Sequence, residues 1–125
     1  MKKYRHKTTF SSFLSAYRGI RLAAKSQKNL RTGLLIAGFV LTSGILLKFT
    51  VVEMALITLS IGFVLFAELT NTVTEFVVDT YFRTKYSEIA KMSKDVAAGS
   101  VLLAIFISGI IGAILFLPKI IALIM

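Results

Sequence analysis

Three carboxylates and one amide recur along a single apolar segment at spacings that place them on one helix face. Glu68, Asn71, Glu75 and Asp79 follow one another at intervals of three, four and four residues. In an α-helix, which turns by about 100° per residue, these four side chains fall within about 80° of one another. Acidic side chains are costly in hydrocarbon, so they usually face a protein interior or a wet cavity and take part in function. The stripe therefore predicts a site that handles metal ions or protons.

The composition is that of an integral membrane protein. The chain of 125 residues is 56% hydrophobic and only 17% charged, and its mean hydropathy is +0.81. A soluble chain of this length has too little interior to bury so much apolar surface. Cysteine is absent, which excludes disulfides and cysteine-based metal sites, and the single histidine, His6, lies in a basic segment. The function must therefore be one that is carried out in or at a bilayer.

Three apolar segments are predicted to be transmembrane helices, at about residues 32–47, 53–81 and 94–117. The second is long enough to project past the bilayer and to carry Glu75 and Asp79 to its interface. Pro118 is expected to end the third helix. Of the fifteen Lys and Arg residues, thirteen lie before the first segment or in the connection that leads into the third. The positive-inside rule then predicts a cytoplasmic N-terminus and a C-terminus outside.

Residues 1–31 are predicted to form a basic amphipathic helix on the membrane surface. They contain nine Lys and Arg residues and no acid, and apolar residues such as Phe10, Phe13 and Tyr17 recur at spacings of three and four. Such a helix lies in the headgroup plane with its basic side chains near anionic lipid. It could be a surface anchor or a lid over a lipid substrate. Nucleic-acid binding is disfavoured, because the basic blocks alternate with apolar segments as cytoplasmic segments do.

A second polar cluster, Ser93-Lys94-Asp95, opens the third apolar segment. Ser93 can cap a helix, and Lys94 beside the free N–H groups of a helix start could hold a phosphate. An ordinary helix start with an inside-positive lysine explains the same residues. The cytoplasmic end of the second segment should lie at the same depth, and an acidic stripe facing a basic helix start suits magnesium–nucleotide chemistry. Neither GxxxxGK[ST] nor a dinucleotide-binding GxGxxG motif is present.

Together the two clusters resemble those of a known family. The pattern is Glu68-x-x-Asn71-Thr72-x-x-Glu75-x-x-x-Asp79, followed by Lys91-x-x-Lys94-Asp95-x-Ala97-Ala98-Gly99. It is similar to that of the small bacterial integral-membrane lipid kinases, which comprise diacylglycerol kinase and undecaprenol kinase. The resemblance covers nearly the whole chain. It implies an all-α homotrimer in the bacterial cell membrane, with sites at the subunit boundaries, that transfers the γ-phosphate of ATP to a lipid hydroxyl with Mg²⁺.

The resemblance also implies a role for each matching residue. Glu68 would accept the proton of the lipid hydroxyl, and Glu75 would bind Mg²⁺. Nucleotide contacts would fall on Gln27, Glu75, Tyr86, Ser87, Lys94 and Asp95. Asn71 and Asp79 would support the site, and lipid contacts would fall on Glu68 and Ala98.

Two residues depart from the family pattern. Gln27 stands where the family usually has a glutamate that is a second metal ligand, so its neutral oxygen predicts a higher requirement for Mg²⁺. Ser87 replaces a histidine that some members have, which weakens the expectation of nucleotide contacts in that loop.

Other functions remain open from the residues alone. The acidic stripe could be a buried polar network that holds an oligomer together, the acids could line a cation channel, or the chain could be an inactive scaffold. The outer half of the segments offers a channel only Thr42, Ser43, Thr58 and Ser60, and such side chains usually bond to their own helix. For a kinase, undecaprenol is the favoured acceptor and diacylglycerol the alternative, because the lack of cysteine and the FLPK-type ending resemble the undecaprenol branch.

Overall fold

The computed structural model describes residues 8–125, and they form four α-helices. The helices are α1 (Thr9–Ser26), α2 (Lys28–Leu46), α3 (Val51–Phe82) and α4 (Glu88–Ile124). The last three are long and apolar enough to cross a membrane. The prediction of an all-α membrane protein with three candidate spans is therefore confirmed.

The N-terminal helix is shorter than the predicted range of 1–31. Thr8 caps α1 by accepting a hydrogen bond from the Ser11 N–H at 3.0 Å, and the first seven residues, with His6, lie outside the described part of the chain. Gln27, in an extended conformation (φ −118°, ψ 113°), separates α1 from α2. Residues 28–31 therefore belong to the first apolar helix. The placement of α1 on a membrane surface stays a prediction.

A capping box fixes the start of α3. The Thr50 hydroxyl accepts a hydrogen bond from the Glu53 N–H at 3.2 Å, and the Glu53 carboxylate accepts one from the Thr50 N–H at 2.8 Å. This reciprocal pair satisfies two backbone donors that a helix start leaves free. With 32 residues, α3 is roughly 48 Å long, so it extends well past a hydrocarbon core of about 30 Å.

The start of α4 lies earlier than predicted. Ser87 caps the helix by accepting a hydrogen bond from the Ala90 N–H at 3.4 Å, which places Ser93 and Lys94 in the second turn. The prediction that Ser93 opens this helix is therefore wrong. The N–H groups that this helix start leaves free are those of residues 88 and 89, more than one turn before Lys94.

The end of α4 also differs from its prediction. The helix continues through Pro118 to Ile124, so Pro118 does not stop it. Proline removes one N–H, and here it leaves the Ile114 carbonyl without its usual helical partner. In an apolar environment an unwound end would leave many more backbone groups without partners, which favours a continued helix.

α3 lies between the two other apolar helices. It packs most extensively against α4, where the Ser108 hydroxyl donates to the Ser60 carbonyl at 3.0 Å, and it packs against α2 on another side. α2 and α4 have little or no contact with each other. A groove floored by α3 therefore remains between them.

Candidate active site

Glu68 is a buried residue, and its carboxyl group has no hydrogen-bond partner within residues 8–125. Glu68 is only 7% exposed, and its backbone carbonyl accepts from the Thr72 hydroxyl at 2.9 Å. Its side-chain oxygens receive no hydrogen bond but remain accessible from the groove that Glu68 lines. An accessible carboxyl group that faces an apolar groove without a hydrogen-bond partner is open to a ligand, which points to a functional role.

The groove is a cavity of about 610 Å³ walled by all three apolar helices. Each helix contributes residues spaced three or four apart, which form one stripe per helix. The stripes are Asn29, Thr32, Gly33, Ile36, Ala37 and Val40 of α2; Ile57, Ser60, Ile61, Val64, Leu65 and Glu68 of α3; and Val101, Ile105, Ser108, Gly109, Gly112 and Phe116 of α4. On α2 and α3 a stripe covers roughly 16 Å at about 1.5 Å per residue. Glu68, Asn29 and Thr32 make one end polar, and most of the remaining length is apolar.

A second set of polar residues surrounds Glu75, about two turns along α3 from Glu68. The Gln27 side chain donates to one Glu75 carboxylate oxygen at 3.0 Å, and the Asn71 side chain donates to the other at 3.4 Å. Gln27 lies 48 residues from Glu75 in sequence and is the residue that separates α1 from α2. Three of the predicted site residues are therefore in direct contact.

The donor atoms of this set suit a magnesium ion that also has phosphate ligands. Glu75 is the one carboxylate among the three, and residues 8–125 contain no group of three or more His, Cys, Asp or Glu side chains able to hold a metal. Mg²⁺ prefers oxygen ligands, and protein sites often supply one or two carboxylates while water and phosphate complete the six. In the present arrangement both amides direct N–H groups at Glu75, so each would rotate to turn its oxygen towards a cation.

An ion pair brings Lys94 to the same end of the helices. Its ammonium group lies 2.5 Å from a carboxylate oxygen of Asp79, which is one turn beyond Glu75 on α3. Both side chains remain partly accessible to solvent, so the pair contributes little to stability. Lys94 is thus held near Glu75 and stays open to an anionic ligand.

The other predicted site residues lie apart from these contacts. Asp95 pairs with Lys91 of its own helix at 2.7 Å, and Tyr86 is 80% exposed in the connection between α3 and α4. The Ser87 hydroxyl is used as the cap of α4. Ala98 is exposed and is not one of the residues that line the Glu68 groove.

Sequence reasoning missed the contribution of α2. Asn29 and Thr32 reach the polar end of the groove, and the Arg31 guanidinium donates to the carbonyls of Ala24 and Lys25 at 3.0 and 2.8 Å. Arg31 thereby caps the end of α1 and fixes the turn that contains Gln27. The spacing of Asn29, Thr32 and Gly33 was an available signal that these residues share a face.

The chain is similar to known proteins over the whole of the groove and the residues around Glu75. The model of the prokaryotic diacylglycerol kinase family matches residues 14–116. A protein of Bacillus subtilis (strain 168) named undecaprenol kinase is 40% identical over 110 residues, which are 88% of this chain and 89% of the relative. A Synechocystis protein named diacylglycerol kinase is 38% identical over 112 residues, which are 90% of this chain but 64% of the relative's length. The groove and the contacts around Glu75 both lie within the matched residues.

Proposed function

We propose, because this chain belongs to the prokaryotic diacylglycerol kinase family and is a lipid kinase, that it transfers the γ-phosphate of ATP to the hydroxyl of undecaprenol. The observation that carries the proposal is the carboxyl group of the buried residue Glu68, which has no partner in residues 8–125 and faces the polar end of an apolar groove. A lipid alcohol with its tail in the groove would present its hydroxyl to Glu68. The name of the Bacillus subtilis relative favours undecaprenol, and diacylglycerol is the alternative acceptor.

Glu68 would act as the general base of this transfer. Its carboxylate accepts the hydroxyl proton while the acceptor oxygen bonds to the γ-phosphorus. The bond from that phosphorus to its bridging oxygen breaks, and ADP leaves with the electron pair. The apolar walls keep water away from the γ-phosphate, so that the lipid hydroxyl is the nucleophile that reaches it.

The residues near the end of α3 would hold the nucleotide. Lys94 can bind a phosphate oxygen as a point charge when its contact with Asp79 opens. Glu75, Gln27 and Asn71 would hold Mg²⁺, and that ion when bound neutralises part of the phosphate charge. Glu75 lies seven residues from Glu68, roughly 10 Å along α3. The nucleotide would therefore lie between the interface and the polar end of the groove.

The membrane arrangement completes the proposal. The chain is a multi-pass membrane protein, and we infer that its N-terminus is cytoplasmic, that α1 lies on the bilayer surface and that the working form is a homotrimer. Phe10, Phe13 and Tyr17 of α1 are exposed, as expected of a helix that places apolar side chains among lipids. A cytoplasmic site gives direct access to ATP.

Phosphate transfer to each lipid tests the function directly. The purified chain in mixed micelles would receive γ-labelled ATP and either undecaprenol or diacylglycerol, with Mg²⁺ titrated. We expect label in both lipids and a higher kcat/KM for undecaprenol. Label in diacylglycerol alone would overturn the choice of acceptor. No label in either lipid at high Mg²⁺ would overturn the proposed activity and favour a non-catalytic role.

A further inference from the structure

The size of the groove matches a single lipid tail. The lining stripes on α2 and α3 are roughly 16 Å long, so the apolar section of the groove is long enough for part of one extended lipid chain. An acceptor would then place part of one tail in the groove and the rest of the molecule in the bilayer.

The groove is wider beside some α4 residues than beside others. Val101 and Ile105 are branched, Gly109 and Gly112 follow without side chains, and Phe116 lies at the far end. A Cβ built on Gly109 or Gly112 would meet no heavy atom of the described residues within 4 Å. The packing within this chain thus does not require glycine at these two positions. Gly44 differs, because its Cβ would lie 3.0 Å from the Met54 sulfur.

Glu68 indicates what occupies this groove. As a residue Glu68 is more than nine-tenths buried, and its carboxyl group has no partner among residues 8–125 and faces the groove at the end opposite Phe116. An occupant that satisfies this carboxyl group has a hydrogen-bond donor at one end and an apolar tail. A lipid alcohol has both features, whereas an apolar helix segment of a second copy would leave the carboxyl group unpaired.

We propose that Gly109 and Gly112 admit the methyl branches of an isoprenoid tail and thereby set a preference for prenyl alcohols over straight-chain lipids. A branch methyl needs a lateral space about the size of one Cβ, and each of these glycines leaves such a space in the wall. A straight chain needs no such space and gains fewer contacts in the widened section. The inference rests on the proposed function, because it concerns the acceptor of the same reaction.

The test compares two single-tail alcohols that differ in branching. Geranylgeraniol and a straight-chain primary alcohol of equal carbon number would be offered with γ-labelled ATP to the wild-type chain and to the double variant Gly109→Ala/Gly112→Ala. Alanine favours the helix more than glycine does, so the variant should fold. We expect the wild type to prefer the branched alcohol and the variant to lose that preference by about tenfold or more, since one methylene in an apolar pocket has effects of that size. The change should appear in the KM for geranylgeraniol, with the KM for ATP unaltered.

Gly38→Ala and Gly62→Ala are matched controls. A Cβ at either position also meets nothing within 4 Å of the described residues, but neither glycine lines the groove. Both controls should keep the wild-type ratio of the two alcohols. The inference would be overturned if the double variant kept the wild-type ratio of activities with the two alcohols, or if it lost activity equally with both. It would also be overturned if the control variants changed that ratio as much as the double variant does. No label in either alcohol from a wild-type preparation that labels undecaprenol would also overturn the inference, whereas a preparation that labels neither undecaprenol nor diacylglycerol would refute the proposed function itself.

Discussion

The single residue on which the chemistry depends most is Glu68. We expect Glu68→Gln to lower kcat by about a hundredfold to ten-thousandfold, because it removes the proton acceptor and keeps the shape of the side chain. The amount of folded protein should not change, since the Glu68 carboxylate makes no hydrogen bond within residues 8–125. Steady-state phosphate transfer checks this, with the exposed Glu88→Gln as a charge-matched control. A variant that keeps more than a tenth of the wild-type kcat would remove Glu68 as the base.

Gln27 offers a second prediction at this scale. A carboxylate at this position would replace a neutral donor to Glu75 by a second anionic ligand, so Gln27→Glu should lower the Mg²⁺ concentration for half-maximal activity several-fold. Direct binding of Mn²⁺, followed by electron paramagnetic resonance, should tighten in parallel. Ser26→Glu adds the same charge to the neighbouring residue, whose hydroxyl bonds to its own helix, and should leave both quantities unchanged. Equal Mg²⁺ dependence in wild type and Gln27→Glu would contradict a metal site at Glu75.

At the scale of helices, the end of α3 contains a strained residue. Arg83 has φ 52° and ψ −117°, a conformation that is essentially restricted to glycine, while its N–H donates to the Asp79 carbonyl. We expect Arg83→Gly to stabilise the protein by about 1 kcal/mol and to raise its Tm in detergent. Lys85→Gly removes the same charge from the same connection without a positive φ to relieve, and should not raise Tm. A lower Tm for Arg83→Gly than for wild type would show that the strain is absent.

The helices themselves could be predicted more reliably than their ends. Long apolar runs made α2 and α3 evident to within a few residues. The start of α4 was misplaced because Ser87 and Ser93 are both good caps, and the choice between them depends on the turn after Phe82. The break at Gln27 had no Gly or Pro to signal it. Glutamine is a good helix former, so its own propensity does not predict a break. Gln27 is extended where its side chain contacts Glu75 of α3, a residue far away in the sequence.

For the whole molecule, periodicity predicted the part of the site that lies on one helix. Glu68, Asn71 and Glu75 share a face of α3, as their spacing requires. The Glu75 contact with Gln27 and the pairing of Asp79 with Lys94 join different helices, so the spacing within one helix could not reveal them. The groove was not predicted, because it exists only where α2 and α4 flank α3 with little or no contact between them.

The orientation of the molecule in the membrane gives the last prediction. Because the chain has no cysteine, Val51→Cys and Thr84→Cys each provide a single thiol at an exposed, uncharged position at one end of α3, and the balance of basic residues is unchanged. The positive-inside rule predicts that a membrane-impermeant maleimide labels Val51→Cys in intact spheroplasts and labels Thr84→Cys only after lysis. Lys94 and Glu75 lie towards the same end of α3 as Thr84, so this result would place the nucleotide-binding residues where cytoplasmic ATP can reach them. Labelling of Thr84→Cys in intact spheroplasts would contradict both the orientation and the use of cytoplasmic ATP.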